Sequence, residues 1–413
     1  MLIVGMLQRL IHYGRLTVTD AAGRTHRFAG AAPGPGAAIR LTDKRIELEL
    51  LLHPELALGE GYMDGRIVVE EGSIYDVIEI GAVNLQRLGG NNWGSIAAKV
   101  AGLLRRFHQY NPVARSRRNV AHHYDLSAEL YRLFLDPDRQ YSCAYFPTAE
   151  TTLDEAQLLK KRHIAAKLLL RPGQRVLDIG CGWGGLGIYC AQVDEVDVTG
   201  LTLSVEQQSY ALRRVAQAGL EDRVRFLIQD YRETSGSYDR IVSVGMLEHV
   251  GVNHYDAYFR LLADRLTADG VAVIHSIGRA TGPAATAAFI RKYIFPGGYI
   301  PALSEVLPAV ERAGLWVTDV EILRLHYAET LRHWRERFIA RWAEAAGLYD
   351  ERFCRMWEFY LAGSEAFFRC MDGMVFQLQL TKDRHAVPLT RDYIGDEERR
   401  HARAEPRRYR LVA

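Results

Sequence analysis

RVLDIGCGWGG, Arg175 to Gly185, is the stretch that decides how this 413-residue chain is read. Val176, Leu177 and Ile179 give the first five residues strand character, and glycines follow at 180, 182, 184 and 185. A strand that runs through a glycine turn into a helix lets backbone approach a ligand closely, which makes this a nucleotide-class site. Gly180, Gly182 and Gly185 also satisfy G-x-G-x-x-G, a weak signal when it stands alone.

Two neighbours of the loop separate the candidate ligands. Asp178 precedes the first glycine by two residues, as in methyltransferase loops that bind S-adenosylmethionine. A nicotinamide enzyme instead needs an acid about 20 residues on, to grip the ribose hydroxyls. There the chain reads GLTLSVEQ, Gly200 to Gln207, with no acid at the strand end. Ser204 and Gln207 fit an S-x-x-Q capping box, and Thr202 with Gln207 fits a nucleoside contact; both roles stand open. Asp230-Tyr231-Arg232 follows the next strand, where open α/β sheets place ligand contacts, and is read either as an adenine-edge contact or as ordinary loop chemistry.

Outward from the loop, short β-branched segments alternate with helical ones. Strands are expected at Arg175–Ile179, Val196–Leu201, Val224–Gln229, Tyr238–Val244 and Val271–Ser276, and helices at Val205–Ala218 and His254–Leu266. That alternation predicts an α/β doubly wound, Rossmann-like parallel sheet, with Trp316–Leu323 and Met374–Leu380 as an antiparallel edge pair. Residues 1–102 read as a small α+β domain, with a Gly/Pro/Ala turn stretch at Ala29–Ala38 and strand-like runs at Arg45–Leu52 and Arg66–Glu71. Residues 103–120 read as a basic linker, 121–390 as the catalytic domain and 391–413 as a charged, frayed tail.

Composition narrows the classes. Lys+Arg is 52 against 50 for Asp+Glu, a formal charge of +2 that gives no reason to expect nucleic acid. No run approaches the roughly 18 to 20 apolar residues of a membrane span, and Met1–Leu10 lacks the flanks of a signal peptide. Five cysteines without regular spacing (143, 181, 190, 354, 370) oppose a disulfide framework and a zinc site, so no metal and a reducing cytoplasm are expected.

Polar residues that packing does not need cluster at further strand ends: GMLEHVG (Gly245–Gly251) and IHSIG (Ile274–Gly278). Upstream lie AHHYDLS (Ala121–Ser127) and QYSCAYF (Gln140–Phe146). Singly, Cys143 reads as a small buried hydrophobe, His275 as a satisfied core histidine and Glu248 as a helix cap. Together and in this order, with LDIGCGWGG, GLTLSVEQ, QDYRE, KYIFPGGYIP and LHYAETL, they resemble the cyclopropane-fatty-acid synthase family, including the mycolic-acid cyclopropane synthases. GEGYMDG (Gly59–Gly65) resembles the accessory domain of the phospholipid-acting members.

The resemblance implies methyl transfer from S-adenosylmethionine to a cis double bond of an unsaturated phospholipid acyl chain, then proton loss that closes a cyclopropane ring. It implies a bound bicarbonate as base, held at Cys143 and Ile277 through backbone groups and at Glu248, His275 and Tyr327. It implies cofactor contacts at Tyr141, Ser142, Asp178, Gly180, Gly182, Gly184, Thr202, Gln207, Tyr231 and Arg232. Such a site must exclude water and favour a developing cation, for which Tyr124 and Tyr327 are the aromatic candidates. The expected partners are a phospholipid membrane surface and its acyl chains, met from the cytoplasmic face, with a homodimer as the expected assembly. Phe289, Ile290, Tyr293, Ile294 and Phe295 beside Arg291 and Lys292 read as an interfacial segment or as a lid over the acyl chain. The rivals are methylation or methylenation without ring closure, a nicotinamide oxidoreductase, and a noncatalytic lipid-binding protein.

Overall fold

Residues 2–87 and 127–410 are described by the computed structural model, and they divide into two units that do not follow chain order. The first unit gathers residues 2–87 with Ala284–Pro296 and Leu331–Gly373; the second holds 127–283, Gly297–Thr330 and 374–410. The expected basic linker 103–120 and Tyr124 lie outside the described residues.

In the first unit, β1 (Tyr13–Thr19), β2 (Thr25–Ala29), β3 (Ala32–Leu41) and β4 (Ile67–Glu71) form a sheet of order β2-β1-β3-β4. Two local readings are corrected here. The Gly/Pro/Ala stretch is largely strand β3: Gly34 stands so close to the ring of Tyr13 that a Cβ would sit 2.6 Å from it, which is why small residues serve there. Lys44–Leu52 is a helix, because Asp43 accepts the N–H groups of Arg45 and Ile46 (2.9 and 3.0 Å) and Ile46 and Leu50 share a buried face.

The GEGYMDG residues knit later segments into the same unit. Gly59 lies against the rings of Phe289 and Phe359, Glu60 pairs with Lys292 (2.5 Å) and accepts from Tyr293 (2.8 Å), and Tyr62 donates to Glu358. Helix Glu351–Cys370 packs on helices Pro54–Met63 and Ile74–Arg87. The contiguous division at residue 102 therefore gives way to an interleaved one. In the segment read as interfacial or as a lid, Phe289 and Ile294 are buried, Ile290, Tyr293 and Phe295 are half-buried, and Lys292 is paired.

The second unit is built on a seven-stranded sheet: β5 (Arg175–Ile179), β6 (Asp197–Thr202), β7 (Val224–Ile228), β8 (Tyr238–Val244), β9 (Leu266–Arg279), β10 (Trp316–Leu323) and β11 (Gly373–Thr381). Their order is β10-β11-β9-β8-β5-β6-β7; β5 through β9 pair in parallel and β10 with β11 antiparallel. The direction of winding reverses between β5 and β8, where such sheets open a crevice at their carboxyl ends. Alternation gives the sheet two apolar faces. Leu177, Ile179, Ile241 and Ile274 pack with helices Tyr255–Arg265 and Leu303–Arg312. Val176, Val198, Val242 and Val273 pack with helices Leu153–Leu168, Gly185–Asp194 and Val205–Ala218.

The expected frayed tail is instead helix Asp392–Ala404, packed on helices Leu153–Leu168 and Gly185–Asp194. Its charges read as solvated in sequence, yet they meet partners. Asp194 takes Arg400 and His401, Glu397 takes Arg171, Glu398 takes His163, and Glu405 takes Arg162 and the hydroxyl of Tyr189.

Candidate active site

The crevice is assembled by sheet register. Asp178 pairs with Gly200 and Val242, Ile179 with Leu201 and Ser243, and Val244 with His275. The glycine loop and His275 thus lie two strands apart, about 10 Å at ordinary strand spacing. Asp178 lies between Leu177 and Ile179, so it points to the face of helix Leu153–Leu168; His275, two residues past Val273, points the same way.

At the loop, Gly180 and Gly182 have φ of +80° and +53°, a region that side chains resist. A Cβ at Gly182 would meet nothing within 4 Å, whereas one at Gly185 would strike the carboxylate of Asp138 at 2.2 Å. The first two N–H groups of the loop, at Gly180 and Cys181, both donate to the carbonyl of Leu201 (3.0 and 2.9 Å). They are therefore not offered to a phosphate, which weakens the dinucleotide alternative. Asp178 is buried, its Oδ2 has no partner, and burial pushes its carboxyl up to about 7 against the opposing charge of Lys160. An open glycine turn beside a lone buried carboxyl fits a ligand that carries positive charge, as S-adenosylmethionine does.

The remaining cofactor candidates sort into two groups. Tyr141 and Ser142 are held over the same region: Tyr141 packs edge-on to Tyr131 (5.3 Å), and Ser142 Oγ accepts from Lys160 at 2.7 Å. Thr202 and Gln207 are buried and bonded to each other (2.8 Å). Ser204 Oγ caps the N–H of Gln207, but the Gln207 side chain reaches Thr202, so only half of the capping box forms. The Tyr231 ring is packed on Tyr258 at 5.4 Å, and Arg232 is clasped by both oxygens of Asp230 (2.8 and 2.7 Å). Both residues stand just past the end of β7.

Glu248 sits in the turn after β8. Its Oε1 accepts the N–H of Ile277 (2.7 Å), its Oε2 is buried without a partner, and burial pushes the carboxyl up to about 7. Ile277 N–H is thus already spent on Glu248, so an anion would find that donor occupied. His275 is buried and held down to about 3, chiefly by desolvation, so it is neutral. Gln377 Nε2 lies 3.1 Å from its Nδ1; with the amide nitrogen on that side, Nδ1 accepts and the ring proton sits on Nε2. The Cys143 thiol is buried, which pushes it up, and it donates to the carbonyl of Ala144 (3.3 Å); it is no thiolate nucleophile. Ala144 N–H donates to Thr330 (3.0 Å), one helical turn after the buried Tyr327, so the QYSCAYF strip is tied to the helix that carries Tyr327.

Sequence reasoning missed Lys160, Gln157 and Gln377, and named Gln140 only as the start of the QYSCAYF strip. Lys160 and Gln157 sit three residues apart on helix Leu153–Leu168, a spacing that places them on one face.

The family model described as mycolic acid cyclopropane synthetase matches residues 112–378. The chain belongs to that family. It is thereby an S-adenosylmethionine-dependent methyltransferase. It is 38% identical over 357 residues to the cyclopropane-fatty-acyl-phospholipid synthase of Escherichia coli strain K12, covering 86% of this chain and 89% of that one. It is 43% identical over 282 residues to a tuberculostearic acid methyltransferase of Mycobacterium tuberculosis, covering 65% and 66%. Among solved structures, the mycolic acid cyclopropane synthase CmaA1 complexed with SAH and CTAB aligns with a TM-score of 0.61 at 37% identity, over 64% of this chain and 97% of that one. The crevice described above thus lies in the part that family members share. Among the described residues, no helix is long and apolar enough to cross a membrane.

Proposed function

We propose that the protein transfers the methyl group of S-adenosylmethionine to the cis double bond of an unsaturated phospholipid acyl chain, with bicarbonate-assisted proton loss closing a cyclopropane ring. The observation that carries this reading is Glu248: a buried carboxyl, anchored by one oxygen and unpartnered at the other, at the strand end next to His275. S-adenosylmethionine, when bound, supplies an electrophilic methyl. The Asp178 carboxyl and the glycine turn would hold it, with Tyr141 and Ser142 alongside.

The chain's own groups do the rest. An alkene is a weak nucleophile, so alignment and exclusion of water decide whether the cation formed on the acyl chain collapses to the ring or is quenched. Neutral His275, with its proton on Nε2, would donate there and Glu248 Oε2 would accept, a donor and acceptor pair suited to orient a bicarbonate hydroxyl. The bicarbonate oxygen then takes the proton lost from the new methyl carbon. The acyl chain comes from a membrane surface met on the cytoplasmic side.

A second reading is supported by the 43% identity to the tuberculostearic acid methyltransferase: the same transfer with proton loss that leaves a methylated or methylenated chain. The test is incubation of the purified protein with S-adenosylmethionine, bicarbonate and vesicles of cis-monounsaturated phospholipid, with products examined by mass spectrometry and proton NMR. Shielded ring protons establish the synthase. A gain of one CH2 without ring protons moves the enzyme to the methylating branch, and no product overturns the lipid assignment.

A further inference from the structure

Helix Leu153–Leu168 buries three of the chain's seven lysines, Lys160, Lys161 and Lys167, each 1% exposed. Two of them are paired in the ordinary way. Lys161 meets Asp138 at 2.7 Å; Lys167 meets Glu321 at 2.5 Å and Asp319 at 3.4 Å. Lys160 differs. Its ammonium donates to the amide oxygen of Gln140 (2.7 Å) and the hydroxyl of Ser142 (2.7 Å), both neutral, and among the described residues no carboxylate lies within ion-pair distance. Burial accordingly holds it down to about 8, with Asp136 the first charge that opposes this.

A buried ammonium without a carboxylate costs the fold free energy, and an apolar side chain of similar shape would cost less. Its gain must lie in what it holds. Gln157, one turn earlier on the same helix face, donates to the carbonyls of Gln140 (3.2 Å) and Ser142 (3.0 Å). Lys160 and Gln157 together therefore fix both the backbone and the side chains of the strip that leads into Cys143. The same ammonium lies within electrostatic reach of Asp178, Cys143 and His275, which belong to three different segments.

We propose that Lys160 is a positioning residue of the active site: from beneath the sheet it holds the Gln140–Ser142 strip against the crevice, so that the cofactor meets Ser142 and Asp178 already arranged. This rests on the assignment of S-adenosylmethionine to the crevice.

The test compares Lys160→Met, Ser142→Ala and the double variant with the wild-type enzyme, by thermal unfolding, by calorimetric binding of S-adenosylmethionine and by steady-state kinetics. Lys160→Met is expected to unfold at the same or a higher temperature, because an unpaired buried charge is gone. Its cofactor KM is expected to rise about 10- to 100-fold, the range for loss of a group that orients a ligand contact, with a smaller change in kcat. The double variant should lose less affinity than the two single losses multiplied together, since both substitutions break the Lys160–Ser142 contact. A lowered unfolding temperature with normal KM in the folded enzyme would mean that Lys160 only stabilises the fold, and the proposal would fail. If Lys160→Met does not fold, Ser142→Ala with unaltered KM overturns it equally. Wild-type enzyme that binds no S-adenosylmethionine would instead overturn the cofactor assignment itself, an outcome read before any variant is made.

Discussion

Asp178 and Glu248 stand at the ends of adjacent parallel strands, β5 and β8, and are alike in several ways. Each is buried, each has one carboxyl oxygen without a partner, and each is pushed up to about 7 by burial. They differ in their company. Asp178 feels the positive charge of Lys160, whereas neutral donors, the N–H of Ile277 first among them, hold Glu248. The two halves of the crevice thereby take different chemistry from the same side-chain type. A carboxyl within reach of one cation is readily kept ionised by a second, which suits it to a charged cofactor. A carboxyl without a cation sits near its midpoint at neutral pH, which suits it to orient or exchange a proton.

The largest effect expected from breaking this contrast is on turnover. Glu248→Gln should lower kcat by roughly 100-fold or more, the scale of lost acid–base assistance, while calorimetry shows S-adenosylmethionine affinity close to wild type. Asp178→Asn should do the reverse, raising the cofactor Kd about 10- to 100-fold, the worth of one charge-assisted contact. If both variants lose the same property, the division between the halves is wrong.

A pH series sharpens the same point. Asp178 must be ionised to receive a cation, and in the free enzyme its carboxyl sits at about 7. Below pH 7 binding must first expel a proton, so affinity should fall by up to about tenfold per pH unit; above it the affinity should level off. Calorimetry at pH 6, 7 and 8 checks this, and an affinity flat across the series would remove Asp178 from the cofactor contact. Stability at Glu248 follows the other sign. Its folded carboxyl lies above its ordinary value of 4.5, so between about pH 4.5 and 7 the native state holds more protons and loses stability as pH rises. Glu248→Gln should therefore raise Tm at pH 8 and change it little at pH 5. The smallest effect is expected from Gln377→Leu, which frees His275 Nδ1 and should slow turnover only several-fold, with cofactor affinity kept.

Much of the central sheet was legible from local pattern. Tyr238–Val244 and Trp316–Leu323 begin and end where their β-branched runs do, and β10 with β11 form the expected antiparallel pair. The last parallel strand is longer than its apolar run: β9 spans Leu266–Arg279, because its early residues gain partners through Leu266, which pairs with Tyr238. Arg45–Leu52 misled because Asp43 outside the run decides its conformation. The tail Asp392–Ala404 misled because its charges have no visible partners in sequence, and only Asp194, Arg171, Arg162 and His163, some 200 residues away, bury them. Phe289 and Ile294 left two readings open for the converse reason: an apolar face looks alike whether it meets lipid or, as Phe289 does, the ring of Phe359.

Backbone preference and short-range spacing depend on neighbours in sequence, so the strand into the glycine turn, the alternation that makes a parallel sheet and the placing of Asp178 follow from the chain alone, while Glu248 and His275 are singled out by the family resemblance of their motifs. Which charges are paired, which oxygens are orphaned and where a carboxyl titrates depend on what surrounds a group in space. Lys160 is one lysine among seven until the fold sets it under Ser142, and Ile277, named in sequence as a backbone contact for an anion, has its N–H taken up by one oxygen of Glu248. Desolvation and hydrogen bonding act over a few ångströms in three dimensions, and only tertiary structure sets those distances.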